Sequence, residues 1–447
     1  MANAIATLDV APPAGAPVVE NRRWVDAFAA RPDLLQAPER LVGFRRAAVE
    51  RLGATPFPTR RDEDWRYSDF TRALRDDYRL ADVLAPAFER ARFEIPDFEG
   101  YVLVTVDGAF RPELSDEIPG LTVGTTEALL EVEPYAFWLD RTVADLHAAS
   151  SNAFVALNAA FAKHSLFIAG ERGAKLDRPV HVIHLATRAA TRRMVCSQVL
   201  VMMPAGAELT VDETFGTLGA GEPIFRNHVV RAGLASNAHL HYRSIQHEGP
   251  DDCHVSNTVA TQRGGSLFDH VRADLGGAQV RNNLDARHES AGLETRLAGL
   301  YLARDRQRVD NQTFIDHAFP HGESRELYKG IVMDRAVTAF NGKVLVRPDA
   351  QKTNAFQQND SLVIGDEAVA NAKPQLEIFA DDVKCSHGAT IGQLDETPVY
   401  YLRARGIPRG QAIAMLQRGF LLEVLETIES DAVRRYVERL TLAKFND

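Results

Sequence analysis

The sequence predicts a mainly β protein, a core of stacked β-coils flanked by helical regions at both ends. Three observations predict it. From roughly residue 165 to 385, short β-type runs such as HVIHLA, AELTVDETF, HLHYRSIQ, SLFDHVRADL, YKGIVM and KVLVRP follow one another without long amphipathic helices. Gly-bearing turns at Ala205–Gly206, Gly233, Gly264–Gly265, Ala291–Gly292 and Gly322 recur about every 27 to 32 residues, the range of a repeating unit. Helical periodicity appears only outside this stretch. Coils that bury their apolar face against neighbouring coils form a β-solenoid. A β-sandwich with irregular loops has similar strand spacing, and the degenerate repeats do not separate the two.

The elements follow in order. Residues 1–20, rich in Ala and Pro, are expected to be a mobile tail. Residues 21–160 form a mainly helical region. In PERLVGFRRAAVERLG, Leu41, Phe44, Ala48 and Leu52 recur at helical steps between Pro38 and Gly53. The reading beyond is mixed, with a strand at YVLVTV and a helix through SNAFVALNAAFAKH. Residues 161–390 are the β core and residues 391–447 a helical end. There, Ile413, Leu416, Phe420, Leu421, Val424, Leu425 and Ile428 cover more than one helix face, with Pro408 near the start. Ser430 can cap a second helix striped by Val433, Tyr436, Val437 and Leu440. Such a broad apolar surface serves packing on the β core or docking of a partner.

Composition bounds the function. The net charge of −10 and the lack of a dense basic run argue against nucleic acid as a partner. No run reaches the roughly 18 apolar residues of a membrane helix, and the N-terminus does not read as a signal peptide. Three widely spaced cysteines, Cys196, Cys253 and Cys385, suit a reducing cytoplasm better than a disulfide framework. There is no CxxC pair, so a four-cysteine cluster site would need ligands from elsewhere. Phosphate-loop, GxSxG, HExxH and GxGxxG patterns are also missing, so the chain is expected neither to hold a nucleotide nor to act as an enzyme alone.

The candidate ligands are histidines and one cysteine. Ten of the fourteen histidines lie between His228 and His387. His239 and His241 share a strand face, a spacing open to a shared metal or to a structural role. His317 and His321 straddle a Pro-containing turn. In DDVKCSHGATIG, Cys385 and His387 alternate with Ser386, so both side chains face one way, and Asp381 and Asp382 lie just upstream. Thiolate and imidazole suit iron or zinc, although a buried Cys beside a hydrogen-bonded His is the commoner reading of these residues alone. Cys196 and Cys253 read as packing residues.

AQKTNAFQQNDSLVIG, PQLEIFADDVKCSHGATIGQLD and YYLRARGI, with NQTFIDHAFPHGESRELYKGIV, AVTAFNGKVLVRPDAQKT and the N-terminal DEDWRYSDF, closely resemble the SufD branch of the SufB/SufD scaffold family. The resemblance spans most of the chain and is strongest from about 310 to 420. It implies a right-handed parallel β-helix between helical regions. It implies pairing with a SufB-like paralogue, or with a second copy when isolated, and docking of a SufC-type ABC ATPase on the C-terminal helices. Leu402, Ile407, Leu416, Phe420, Leu421 and Val424 would form that docking surface. His387, with Cys385 as a weaker neighbour, would contact iron or a transient iron–sulfur cluster shared with the partner. SufB-like chains carry a functional cysteine where this one has Asn359, so sulfur would arrive on the partner. Two other classes stay open: an adaptor without ligands of its own, and a β-helix carbohydrate-active enzyme with paired carboxylates.

Overall fold

Alternation of inward and outward side chains along short parallel strands builds a two-sheet parallel β-solenoid. The computed structural model describes residues 19–70, 73–74, 78–82, 87–139 and 152–446; the tail expected over 1–20 lies almost wholly outside them. Sixteen strands, from Leu166–Gly170 to Lys384–Gln393, alternate between two sheets, and each pairs in parallel with the strand one coil away. One inward column runs Leu240, Phe268, Thr295, Ser324, Ala355, Cys385. Its steps of 27 to 31 residues are the repeat expected from the turns. About eight turns stack in this way, and the sandwich alternative falls, because a sandwich is built from antiparallel neighbours.

One corner of every coil needs a left-handed residue. Gly173, Gly206, Asn237, Gly265, Gly292, His321 and Lys352 all have φ between 57° and 73°. Each donates its amide to a carbonyl of the next coil at 2.6–3.2 Å. Glycine takes this conformation without steric cost, which is why the turns were visible in the sequence. Gly233 is an exception: it lies inside the strand Ile224–Leu234, where a side chain would run into Trp138.

The interior is aliphatic along one side, from Val180, Val182 and Val211 through Leu240 and Ile315 to Val344. Both outer faces are covered for most of the length, so many strands are buried on both sides. Helices α1 (Val19–Ala29), α2 (Glu39–Ala54) and α3 (Ala153–Phe161) cover one sheet, with Trp24, Leu52, Phe70 and Phe154 packed on Met194, Phe225 and Val255. Cys196 and Cys253 pack in the same cluster, as expected of them. The N-terminal region is mixed, because its strand Tyr101–Val106 extends one sheet and Leu121–Thr125 the other. Trp65 of the DEDWRYSDF motif stacks on Phe154 under the Arg281 guanidinium, and Ser68 donates to Asp310 at 2.5 Å. That motif clamps the N-terminal region to the solenoid.

At the other end lie α4 (Glu396–Ala404), α5 (Arg409–Leu425) and α6 (Asp431–Asn446). Ser430 accepts from the Val433 amide at the start of α6. Leu421, Val424, Leu425, Ile428, Val433 and Val437 pack on Val271, Leu300, Leu302 and Ile331 of the second sheet. Among the described residues no helix is long and apolar enough to cross a membrane.

Candidate functional site

The two strands of the last coil, Val369–Ile378 and Lys384–Gln393, each have a parallel neighbour on one side only. Most of their side chains, covered by a further coil elsewhere, are exposed or half-exposed. Phe356, Val369, Ile378, Phe379 and Ile391 make this open end apolar as well as unpaired.

Cys385 and His387 sit on this mouth in the inward-facing register, following Ala355 and Gln357 of the coil before. Cys385 is half-buried against the interior core, and burial pushes its thiol up. His387 is exposed. Behind it Gln357 donates to Glu326 at 2.6 Å. Burial pushes the Glu326 carboxyl up to about 7, against the hydrogen bonds of Thr313 and Gln357. Asp382 does not join the two; it is tied to Lys352. Chemically the mouth offers one thiol and one imidazole, and no third ligand comes within bonding range among the described residues.

Asn359 lies inside the solenoid, fully buried, donating to the Tyr301 hydroxyl and the Tyr328 carbonyl at 3.2 Å. His239 and His241 face outward, and His241 bonds Asp269 at 2.9 Å, so the pair does not converge on a shared ion. His317 is buried, bonded to Ser324 and set against the His288 ring, while His321 is the exposed corner residue of its turn.

The six residues expected to dock a partner divide. Leu421 and Val424 are fully buried against the sheet and cannot form an outer surface, a correction that follows from which face of α5 meets the strands. Leu402, Ile407, Leu416 and Phe420 are half-buried. The exposed apolar side chains nearby are Tyr400, Tyr401, Met415 and Leu422.

Reading along the chain missed one group altogether. His184, Glu213 and His228, all buried, bring three donor atoms within 4.8 Å of one another inside the solenoid. Both imidazole Nε2 atoms lie 3.3 Å from Glu213 Oε2. The Tyr242 hydroxyl donates to the same oxygen at 2.6 Å, and Ser244 to the other at 2.8 Å. Thr105 and Ser197 hydroxyls hold the far nitrogens, Nδ1 of His184 and of His228, each at 2.8 Å. Burial pushes His184 down to about 4 against the pull of Glu213. Burial raises Glu213, but the charge of His228 and the hydrogen bonds of both histidines outweigh it and hold the carboxyl well below its usual range. The available signal was the coil repeat: His184 and Glu213 are 29 residues apart, near one turn of the solenoid.

A polar groove of about 390 Å³ lies on the outer face of the first sheet, away from both groups. Its acidic residues Asp64 and Asp285 sit among Arg231, Arg281, Arg287 and Lys343. That is not the facing carboxylate pair of a glycoside-cleaving site.

Comparison with known proteins bears on most of the chain. Residues 184–420 match the SufBD core domain of the SUF system of FeS cluster assembly, and residues 19–182 match the SufBD protein N-terminal region. An iron–sulfur cluster assembly SufBD family protein of a Synechocystis species is 32% identical over 87% of both chains. The iron–sulfur cluster assembly protein SufD of Escherichia coli is 29% identical over 87% of this chain and 89% of its own. The chloroplastic protein ABCI7 of Arabidopsis thaliana is 29% identical over 87% and 83% respectively.

Proposed function

This chain belongs to the SufBD family of iron–sulfur cluster assembly proteins, and on that premise we propose that it is a SufD-type scaffold subunit. It pairs through the open end of its solenoid with a SufB-like paralogue in the cytoplasm. A SufC-type ATPase binds its C-terminal helices and supplies the ATP-driven motion. His387 offers an imidazole to iron or a nascent cluster at the junction, with Cys385 beside it. The iron and cluster are cargo, held by groups of both subunits. The chain performs no catalysis alone.

The observation that carries this reading is the last coil. A thiol and an imidazole face the uncovered end of a parallel stack ringed by Phe356, Ile378, Phe379 and Ile391. Two ligands do not complete a four-coordinate site, and an unpaired strand edge is a template for another chain. Asn359 supports the SufD side, since a buried amide stands where a sulfur-bearing cysteine would be needed. The ATPase surface is redrawn around Tyr400, Tyr401, Met415 and Leu422, with Leu402, Ile407, Leu416 and Phe420 at its edge.

The test is His387→Ala in the complex reconstituted from the three subunits. The variant should co-purify at the wild-type ratio and form markedly less cluster, read from visible absorption and iron content. Undiminished cluster yield in an intact complex would remove His387 from the site.

A further inference from the structure

We infer that His184, Glu213 and His228 form a resident metal centre inside the solenoid, taking a divalent transition ion such as zinc or iron(II).

The distances fit ligation. An ordinary N–H···O bond is about 2.9–3.0 Å long, and both imidazole contacts to Glu213 are longer, at 3.3 Å. Two ligands held about 2.0–2.2 Å from a tetrahedral ion are themselves about 3.3–3.5 Å apart. On the far side of each ring the bonds are short, 2.8 Å to Thr105 and to Ser197. A hydroxyl there can accept the Nδ1 proton, leaving the Nε2 lone pair free for an ion. Such outer partners fix the tautomer and ring angle of ligating histidines. Phe215 stacks on His184 at 4.9 Å and meets the edge of His228 at 5.1 Å, walling the group from solvent.

Charge points the same way. The nearby buried carboxylates have cationic partners: Glu248 has Arg226 at 2.7 Å and Asp274 has Arg272 at 2.8 Å. The bonds of Glu213 come from two imidazoles and two hydroxyls. A buried carboxylate needs a compensating charge; a protonated imidazole would supply one, and a divalent ion between the three donors supplies it while leaving both imidazoles neutral. Two imidazoles and one carboxylate, with a position left for water, are a donor set for zinc or iron(II).

Because all three ligands are buried, the ion enters as the chain folds, and the test supplies it then. Full-length protein is expressed in minimal medium with cobalt(II), passed over a chelating resin, and assayed by mass spectrometry of the metal and by visible ligand-field bands. Wild type should hold one cobalt per chain. Glu213→Gln and His228→Gln should lose it at least about tenfold, while Ser197→Ala weakens affinity about 10- to 100-fold. Glu248→Gln and His387→Ala should keep it, so the interior centre and the role proposed for the mouth fail separately. Wild type holding no more cobalt than Glu213→Gln would overturn the inference. If the ligand variants do not fold, proton NMR of cobalt-loaded wild type decides. Two exchangeable, hyperfine-shifted imidazole N–H signals are expected, and their absence overturns it.

Discussion

The middle of the solenoid and its last coil are built from the same register, yet the same position does opposite things in each. One inward column runs Tyr242, His270, Leu297, Glu326, Gln357, His387. The first five are buried; His387 is exposed. A polar side chain with a coil on either side must find a partner within the stack, as Gln357 finds Glu326. At the open end the same position is exposed, because no further coil covers it among the described residues. Place in the stack decides whether a side chain is enclosed by the protein or exposed to solvent.

The largest effect that separates the regions should come from the covered side. Leu421 is fully buried between α5 and the second sheet. Leu421→Ala should cost about 2–5 kcal/mol in urea unfolding. Tyr400→Ala, on an exposed side chain of α4, should stay within about 0.5 kcal/mol. Equal losses for the two would mean that the helices do not rest on the sheet as described.

A second difference is readable in pH. Glu326 is held up at about 7 by burial, against about 4.5 for an ordinary glutamate carboxyl. The folded state therefore binds the extra proton. The resulting stability is present below about pH 4.5 and is lost as pH rises through about 7, amounting to roughly 3 kcal/mol. His288, pushed down to about 4 by burial, has the opposite sign: its contribution is present above about pH 6.5 and lost as pH falls through about 4. Glu326→Gln should remove the decline between pH 5 and 7.5, measured as the difference from wild type in urea midpoint. A difference that does not change with pH would show that Glu326 is ionised throughout.

Legibility followed the same division. The solenoid was visible because each coil spends one left-handed corner residue, commonly glycine, every 27 to 33 residues. Gly233 misled, since a glycine chosen to admit Trp138 looks the same in sequence as one chosen for φ. Cys385 and His387 stood out because their alternation is local. The interior triad was invisible because its members come from three strands in two sheets and meet only once the coil register is known. His239 and His241 showed the converse failure: parity places two side chains on one face without saying that the face points outward. For α5, apolar residues on more than one face could not reveal that Leu421 and Val424 take the buried one.

The smallest effects isolate the stack itself, using one substitution in two places. Gly330 lies in a middle strand, where an added methyl would penetrate the ring of Tyr301. That ring is buried, and its hydroxyl is bonded to Ser361 and Asn359. Gly330→Ala should therefore destabilise by about 1–3 kcal/mol, the usual cost of overfilling a packed core. Gly392 lies at the mouth with open space around its α-carbon, and its backbone is that of an ordinary strand. Gly392→Ala should shift the isolated chain by no more than about 0.5 kcal/mol. If this end is covered by the paralogue, the added methyl has a neighbour only in the complex. The same variant should then weaken pairing, measured by titration calorimetry, while the unfolding midpoint of the free chain holds. Unchanged pairing together with unchanged stability would place the partner elsewhere than on this edge.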